Sequence, residues 1–231
     1  MNEEEAVAAL SLLNDDVRRR LYRFARQSPD PVTREQAANA ISVSSKLAAF
    51  HLDRLVDAGL LVADHEVPRG LRRRVGRAPK RYRPSGSEVS LSIPARRYDL
   101  VGEILVDAIK EIDPLRSPEQ SACRVAFARG HEIGRARKEE LRRGRLGAER
   151  AVGEARGLLE GLGFEPVAES NGLALRNCPF HALAQRSPEV VCALNAAFID
   201  GLLRGLGNDT VVAELAPEAG LCCVRVRPPS S

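Results

Sequence analysis

The 231-residue chain lacks the features that mark several large classes of protein. No apolar run approaches the roughly 20 residues that a membrane-spanning helix needs. The first residues, MNEEEAVAALSLL, are acidic, whereas a secretory signal peptide begins with a basic segment. The chain also has no glycine-rich phosphate-binding loop and no paired-carboxylate motif. We therefore expect a cytoplasmic protein with no membrane partner, and we do not expect an enzyme.

Cysteine is scarce and odd in number, with five residues in all. An odd number in a chain without a signal peptide indicates a reducing compartment rather than a disulfide framework. Four of the five lie in the last third, and the full set of candidate metal ligands there is Cys178, Cys192, Cys222, Cys223 and His181. Thiolates bind zinc and iron–sulfur clusters, but no C-x2-C knuckle is present. Free cysteines also serve as small buried hydrophobes, so both interpretations stay open.

Acidic residues are absent from residues 67–87, where eight basic residues lie. Residues 1–97 carry 18 Lys or Arg against 12 Asp or Glu, a net charge of +6, whereas residues 98–231 carry 17 against 19, a net charge of −2. A basic half is the candidate for binding nucleic acid. Nearly all the cations are arginine, which suits phosphate and guanine contacts, although a GC-rich genome produces the same bias.

The residues before this basic segment have the pattern of a capped helix. Apolar side chains recur at helical spacing over residues 44–58, Ser42 or Ser44 can cap the start, and Gly59 follows the end. Short apolar or strand-like runs at 60–63 and 80–83 flank the basic segment. A capped helix followed by a basic hairpin is typical of a winged helix, in which the helix enters the major groove of DNA.

The strings SSKLAAFHLDRLVDAGLL and GRAPKRYRP resemble the recognition helix and second wing strand of ArsR-type winged-helix repressors. The resemblance implies that double-stranded DNA is the partner, that the protein is associated with the nucleoid and that it acts as a homodimer. The expected DNA-binding residues are Ser44, Ser45, Lys46, Phe50, Arg54, Arg69, Arg72, Arg73, Arg74, Arg77, Lys80 and Arg81. We expect Leu47, Leu52 and Leu55 of the helix to be buried.

Three regions are predicted. Residues 1–86 form the winged-helix domain, with helices over 10–27 and 33–40 before the recognition helix. Asn14 or Asp15 can cap the first of these, and Thr33 with Gln36 forms a capping box at the second. Residues 87–148 form a linker and a helical dimerisation region, with helices over 95–112 and 118–145. Cys123, Phe127, His131 and Leu141 lie on or near the apolar face of the second of these. Residues 149–231 alternate helices with short strands and predict a small α+β sensor module, so the whole chain is α+β.

The strings NCPFHALA, PEVVCALN and GLCCV resemble the C-terminal sensor region of SufR-type iron–sulfur repressors. The resemblance implies that Cys178, Cys192 and either Cys222 or Cys223 bind an iron–sulfur cluster, with zinc as the alternative. No cysteine lies between Cys192 and Cys222, so His181, a carboxylate, the second cysteine of the pair or an open site supplies any fourth ligand.

We therefore predict a DNA-binding transcription regulator, most simply a dimeric repressor, that senses a metal, an iron–sulfur cluster or redox state. One alternative is a regulator of the same fold whose C-terminal module binds a small organic ligand or a protein partner without metal. A more distant alternative is a thiol enzyme that uses Cys178, since Pro179 can begin a helix whose N-terminus lowers a thiol pKa.

Overall fold

The computed structural model describes residues 3–65, 79–111, 115–141, 148–170 and 172–228. The chain divides into two compact units, Met1–Leu91 and Ser92–Ser231. Both contain helices and antiparallel strands, so the α+β class is confirmed. None of the described helices is both long enough and apolar enough to cross a bilayer.

The first unit contains four helices and three strands within its described residues. They are α1 (Glu3–Leu12), α2 (Asp16–Gln27), β1 (Val32–Thr33), α3 (Arg34–Ile41), α4 (Ser45–Asp57), β2 (Leu61–Asp64) and β3 (Arg81–Pro84). The strands form an antiparallel sheet in the order β1-β3-β2. The core beneath them includes Leu21 of α2, Leu52 and Leu55 of α4 and Tyr82 of β3.

Local capping determines where the helices of the first unit begin. Thr33 and Gln36 form the predicted capping box at α3, and the Ser44 hydroxyl accepts from the backbone N–H of Leu47 at α4. Gly59 follows α4 with a φ of 71°, which glycine adopts without steric cost. The helical stretch predicted over residues 10–27 is interrupted, since α1 ends at Leu12. The Asp15 side chain, one of the two predicted caps, accepts from the backbone N–H of Arg18 and begins α2.

The second unit contains five helices and four strands within its described residues. They are α5 (Tyr98–Lys110), α6 (Pro118–Glu140), α7 (Ala148–Gly161), β4 (Pro166–Glu169), β5 (Gly172–Leu175), α8 (His181–Arg186), α9 (Pro188–Gly205), β6 (Val212–Leu215) and β7 (Val224–Arg227). The strands form an antiparallel sheet in the order β4-β5-β7-β6. The sequence divides this region at residue 148, whereas helices from both sides of that position contribute to one hydrophobic core.

Helices α6 and α9 pack backbone against backbone. Gly130 and Gly134 of α6 face α9, and Gly201 and Gly205 of α9 face α6. A Cβ on any of the four would overlap a backbone carbonyl oxygen of the other helix. The predicted apolar face of α6 is therefore wrong in part: Phe127 is 37% exposed, and the buried face consists mainly of small residues such as Ala122 and Ala126. Small residues let two helix axes approach closely, whereas bulky residues keep them apart.

Candidate functional site

The outward face of α4 combines polar, basic and aromatic side chains. Ser45, Lys46, Phe50 and Arg54 are exposed, and Phe50 leaves 54% of its surface uncovered. The Arg54 guanidinium carbon lies 5.7 Å from the centre of the Phe50 ring, a cation–π arrangement. Ser44, also exposed, caps the helix. This face therefore presents donors and a planar group at the surface with few contacts to its own unit.

Two of the three leucines that we expect to be buried in α4 are buried, and one is not. Leu52 and Leu55 are fully buried with Ala48 and His51, whereas Leu47 is 39% exposed. The prediction for Leu47 is wrong. The buried residues centre on a direction about 90° around the helix from Leu47, at 100° per residue, so Leu47 lies at the edge of the exposed face.

Asp53 joins α4 to β3. Its Oδ1 atom accepts hydrogen bonds from the Tyr82 hydroxyl at 2.9 Å and from Lys80 Nζ at 2.5 Å. Burial, and then the hydrogen bond to Asp53, raise the pKa of Tyr82 above its usual range, so the phenol stays a donor. Lys80, a predicted DNA contact, is thus paired with a carboxylate of the same unit.

Arg81, another predicted DNA contact, turns toward its own chain. Its Nε and Nη2 atoms both donate to the carbonyl oxygen of Pro31, at 3.0 and 2.5 Å. The side chain is half-buried beside β1. The other predicted contacts of the basic segment, Arg69, Arg72, Arg73, Arg74 and Arg77, lie outside the described residues.

In the second unit, the four C-terminal cysteines meet as two pairs. Cys192, near the start of α9, forms a disulfide with Cys223, and their Cα atoms are 6.1 Å apart. The expectation of free thiols is therefore wrong for this pair, since the fold brings two cysteines 31 residues apart within bridging distance. Cys123, Cys178 and Cys222 are free thiols.

Cys178 and Cys222 form the second pair, and both are buried. Hydrogen bonding from the Cys222 thiol lowers the pKa of Cys178 to about 7, against the opposing effect of burial. The same contact, with burial, raises the pKa of Cys222 above its usual range. Asn195 Nδ2 lies 3.3 Å from Cys222 Sγ and donates to it. The pair is thus arranged to share one proton.

A single metal ion or cluster needs three or four ligands that point to one centre. Among the described residues, no group of three or more His, Cys, Asp or Glu side chains has that arrangement. Burial alternates along Cys222, Cys223 and the start of β7, so neighbouring side chains point to opposite sides and the sulfurs separate into two pairs. His181 is exposed at the start of α8. This arrangement does not fit one cluster, and metal binding by these residues stays a prediction.

The loop before Cys178 is tied to the residues before α5, a connection that sequence reasoning missed. Asn177 Nδ2 donates to the carbonyl oxygens of Ala95 and Gly163, at 3.0 and 2.6 Å. Arg96 Nη1 donates to Asn177 Oδ1 at 2.6 Å, and the backbone N–H of Arg97 donates to the Pro179 carbonyl oxygen. The only sign of this connection in the sequence was a polar residue, Asn177, directly before the apolar motif Cys178-Pro179-Phe180.

The chain matches no protein-family model, no curated protein and no solved structure.

Proposed function

We propose that the protein is a transcription regulator that binds double-stranded DNA as a homodimer and responds to thiol oxidation. In this proposal the first unit is a winged helix, α4 is the recognition helix, and the basic segment between β2 and β3 is the wing. The second unit is the sensor. The observation that carries the sensor proposal is the sorting of its four cysteines into the pairs Cys192–Cys223 and Cys178–Cys222.

Three features of the first unit support DNA binding. The order of its elements, with two helices followed by a β2–β3 hairpin, is the order that we expect of a helix-turn-helix with a wing. The outer face of α4 carries Lys46, Phe50 and Arg54, side chains that suit phosphate, thymine methyl and guanine contacts respectively. The Tyr82–Asp53 hydrogen bond fixes α4 against β3, so that the helix and the strand that follows the wing keep one geometry.

A disulfide in a protein that we expect to be cytoplasmic supports redox sensing. Intracellular disulfides of mesophiles are usually transient and serve catalysis or redox sensing. The step that we propose is oxidation of the Cys192 and Cys223 thiols by a peroxide. The peroxide O–O bond breaks as the S–S bond forms, and the two sulfurs give up two electrons. The two thiol protons leave with the reduced oxygen as water and an alcohol, or as two waters.

The Cys192–Cys223 disulfide links α9 to the residue before β7, and reduction breaks this link. Cys192 lies in the first two turns of α9, and Cys223 directly precedes β7. Opening the bridge removes their covalent link while leaving Cys178 and Cys222 in place. A two-state effect on DNA binding requires that the oxidised and reduced forms differ in their affinity for DNA, which is the quantity to measure.

The deciding experiment measures affinity for a DNA duplex selected in vitro, with the protein oxidised and then reduced. Wild type should change its affinity about fivefold or more, the lower end of common allosteric couplings. Cys192→Ser should have one affinity in both conditions, and Cys123→Ser should behave as wild type, because Cys123 lies outside both pairs. Anaerobic purification with iron and zinc quantified belongs to the same experiment.

Each outcome has one meaning. Failure to enrich any duplex would contradict the DNA-binding proposal. Equal affinity of the oxidised and reduced wild type would contradict the thiol sensor and leave DNA binding intact. Stoichiometric iron or zinc that Cys178→Ser and Cys192→Ser both abolish would replace redox sensing with the metal site implied by the resemblance.

A further inference from the structure

Helix α5 carries two apolar faces, and its own unit covers only one of them. Leu100, Val101, Ile104 and Ala108 are buried in the core. Tyr98, Leu105, Val106 and Ile109 are exposed, to 42%, 39%, 51% and 70% of their surfaces. At 100° per residue these four, with Gly102, occupy one continuous strip about 100° wide, which we call the α5 stripe.

Gly102 lies within the α5 stripe, and no described residue of the protomer lies close enough to require a glycine there. A glycine in the middle of a helix is destabilising relative to alanine. Gly130 and Gly201 are needed because the other helix touches their backbone, but a Cβ at Gly102 would meet nothing within 4 Å. Gly153 and Gly157 of α7 are equally open, yet charged residues such as Arg150, Arg156 and Glu160 surround them on their helix face. Gly102 thus combines an open backbone with apolar neighbours, which Gly153 and Gly157 do not.

We propose that the α5 stripe is the surface on which a second copy of this chain docks, with the two α5 helices antiparallel. A two-fold axis between Gly102 and Leu105 brings Tyr98 opposite the partner's Ile109. The same axis brings Gly102 opposite the partner's Leu105, so that each leucine enters the gap above a glycine. One register thus satisfies both contacts at once, as an isologous interface requires.

Charge on one flank of the α5 stripe fits the same register. Asp99 and Lys110 lie on the same side of the stripe, near opposite ends of the helix. In an antiparallel pair, equal flanks face each other, so Asp99 lies beside the partner's Lys110 and the contact occurs twice. Within the protomer, Asp99 pairs with Arg97 at 3.1 Å and Lys110 with Asp107 at 3.4 Å, both at the surface. Such exposed pairs exchange partners at little cost.

This inference adds the residues of the interface to the homodimer of the proposed function, and its test does not depend on DNA. Sedimentation equilibrium of the full chain should give a dimer. Leu105→Glu should weaken dimerisation by roughly a hundredfold, since each dimer loses two buried leucines. Leu215→Glu, which changes an exposed apolar residue of β6 in the same way, should leave the dimer intact.

Two further sets of variants separate an interface from a folding defect. Gly102→Ala and Gly153→Ala should both raise the melting temperature of the monomer, because alanine favours helix. Only Gly102→Ala should weaken dimerisation. Asp99→Lys should weaken dimerisation, and the double variant Asp99→Lys with Lys110→Asp should restore it.

A monomeric wild type, or a dimer that survives both Leu105→Glu and Gly102→Ala, would overturn the inference. A wild-type monomer that instead forms a complex with a different protein through these residues would also overturn it. If the dimer dissociates as expected but no DNA duplex is bound, the interface stands and the proposed function fails. If DNA is bound by a dimer that persists in the Leu105→Glu and Gly102→Ala variants, the proposed function stands and the interface inference fails.

Discussion

Arg96 donates a 2.6 Å hydrogen bond to the side-chain oxygen of Asn177, across 81 residues of sequence. Asn177 in turn donates to the carbonyl oxygens of Ala95 and Gly163. The residue next to Cys178 therefore holds the segment that leads into α5. Any movement of the Cys178 loop acts directly on the residues just before that helix.

The first prediction concerns this link. Asn177→Ala removes a buried side chain that makes three hydrogen bonds, so the Gly163 carbonyl oxygen loses its side-chain donor and Arg96 loses an acceptor, while the Ala95 carbonyl oxygen keeps a hydrogen bond from Arg96. We expect the free energy of unfolding to fall by about 2 kcal/mol, within the usual range for an unsatisfied buried group. Urea unfolding measures the loss. Asn39→Ala, at an exposed position of α3, is the control and should change stability by less than about 0.5 kcal/mol. Equal stability of the two variants would contradict the role of Asn177.

The second prediction concerns α4 and DNA. Arg54→Ala and Phe50→Ala remove the exposed cation–π pair of the helix. Each should reduce affinity for a selected duplex by about 1–3 kcal/mol per half-site, as loss of a base contact does. Fluorescence anisotropy at fixed salt measures the change. Arg26→Ala, an exposed arginine of α2, is the matched control and should bind as wild type. An Arg54→Ala protein that also binds as wild type would remove α4 from the interface.

The third prediction separates two kinds of arginine. Arg72, Arg73 and Arg74 are unopposed in the sequence, and replacing all three by alanine should flatten the log–log salt dependence of DNA affinity by roughly one to three units per wing of the dimer. Arg81 already binds the Pro31 carbonyl oxygen. Arg81→Ala should therefore reduce stability and leave the salt dependence near that of wild type. If Arg81→Ala flattened the dependence as much as the triple variant, Arg81 would be a phosphate contact after all.

The fourth prediction concerns the pKa of Cys178, which falls to about 7 from the usual 9.0 because the Cys222 thiol hydrogen-bonds to it. With the Cys192–Cys223 bridge intact, the folded protein should carry a thiolate above pH 7 that the unfolded chain gains only near pH 9.0. Between these values the native state binds fewer protons than the unfolded state. The free energy of unfolding should therefore rise with pH across this window and lose that contribution as the pH falls through 7.

Thiolate absorbance in the ultraviolet tests the same pKa directly. Wild type should show one step near pH 7, and Cys178→Ser should lack it. Cys123→Ser should keep the step, because burial raises the pKa of Cys123 instead. A step that survives in Cys178→Ser would assign the low pKa to another thiol.

The fifth prediction concerns the glycines between α6 and α9. Gly130→Ala adds a Cβ that overlaps the Phe198 carbonyl oxygen, so the helices must separate. Overpacking of this kind usually costs about 1–3 kcal/mol, and a clash with backbone belongs at the upper end. Gly157→Ala, at an open position of α7, should instead stabilise the protein by about 0.5–1 kcal/mol. Thermal unfolding of the two variants should shift in opposite directions.

Local signals in the sequence predicted much of the first unit. The capping box at Thr33 and the Ser44 cap depend on residues three apart, and the α4 periodicity depends on residues within one helix. Such features are fixed by neighbours in the chain. Leu47 was the exception, since hydrophobicity alone does not say how far the core extends around a helix.

Features of the second unit that depend on distant residues were less accessible. The sequence predicted helices alternating with short strands over residues 149–231, but nothing in it paired Cys192 with Cys223, or Asn177 with Arg96. The buried face of α6 was missed for a different reason. The contact of α6 with α9 is made mainly by glycine and alanine, which contribute little to an apolar pattern. The larger Phe127 was therefore predicted to lie on the buried face.

The glycine contact between α6 and α9 also has a mechanical consequence. Side chains between two helices normally absorb small displacements by changing rotamer, but at this contact backbone touches backbone and no rotamer is available. The two helices therefore move as one stiff body. Helix α5 packs against α6 within the same hydrophobic core. A displacement of α9 that begins at Cys192 is therefore transmitted through α6 to α5 almost undiminished.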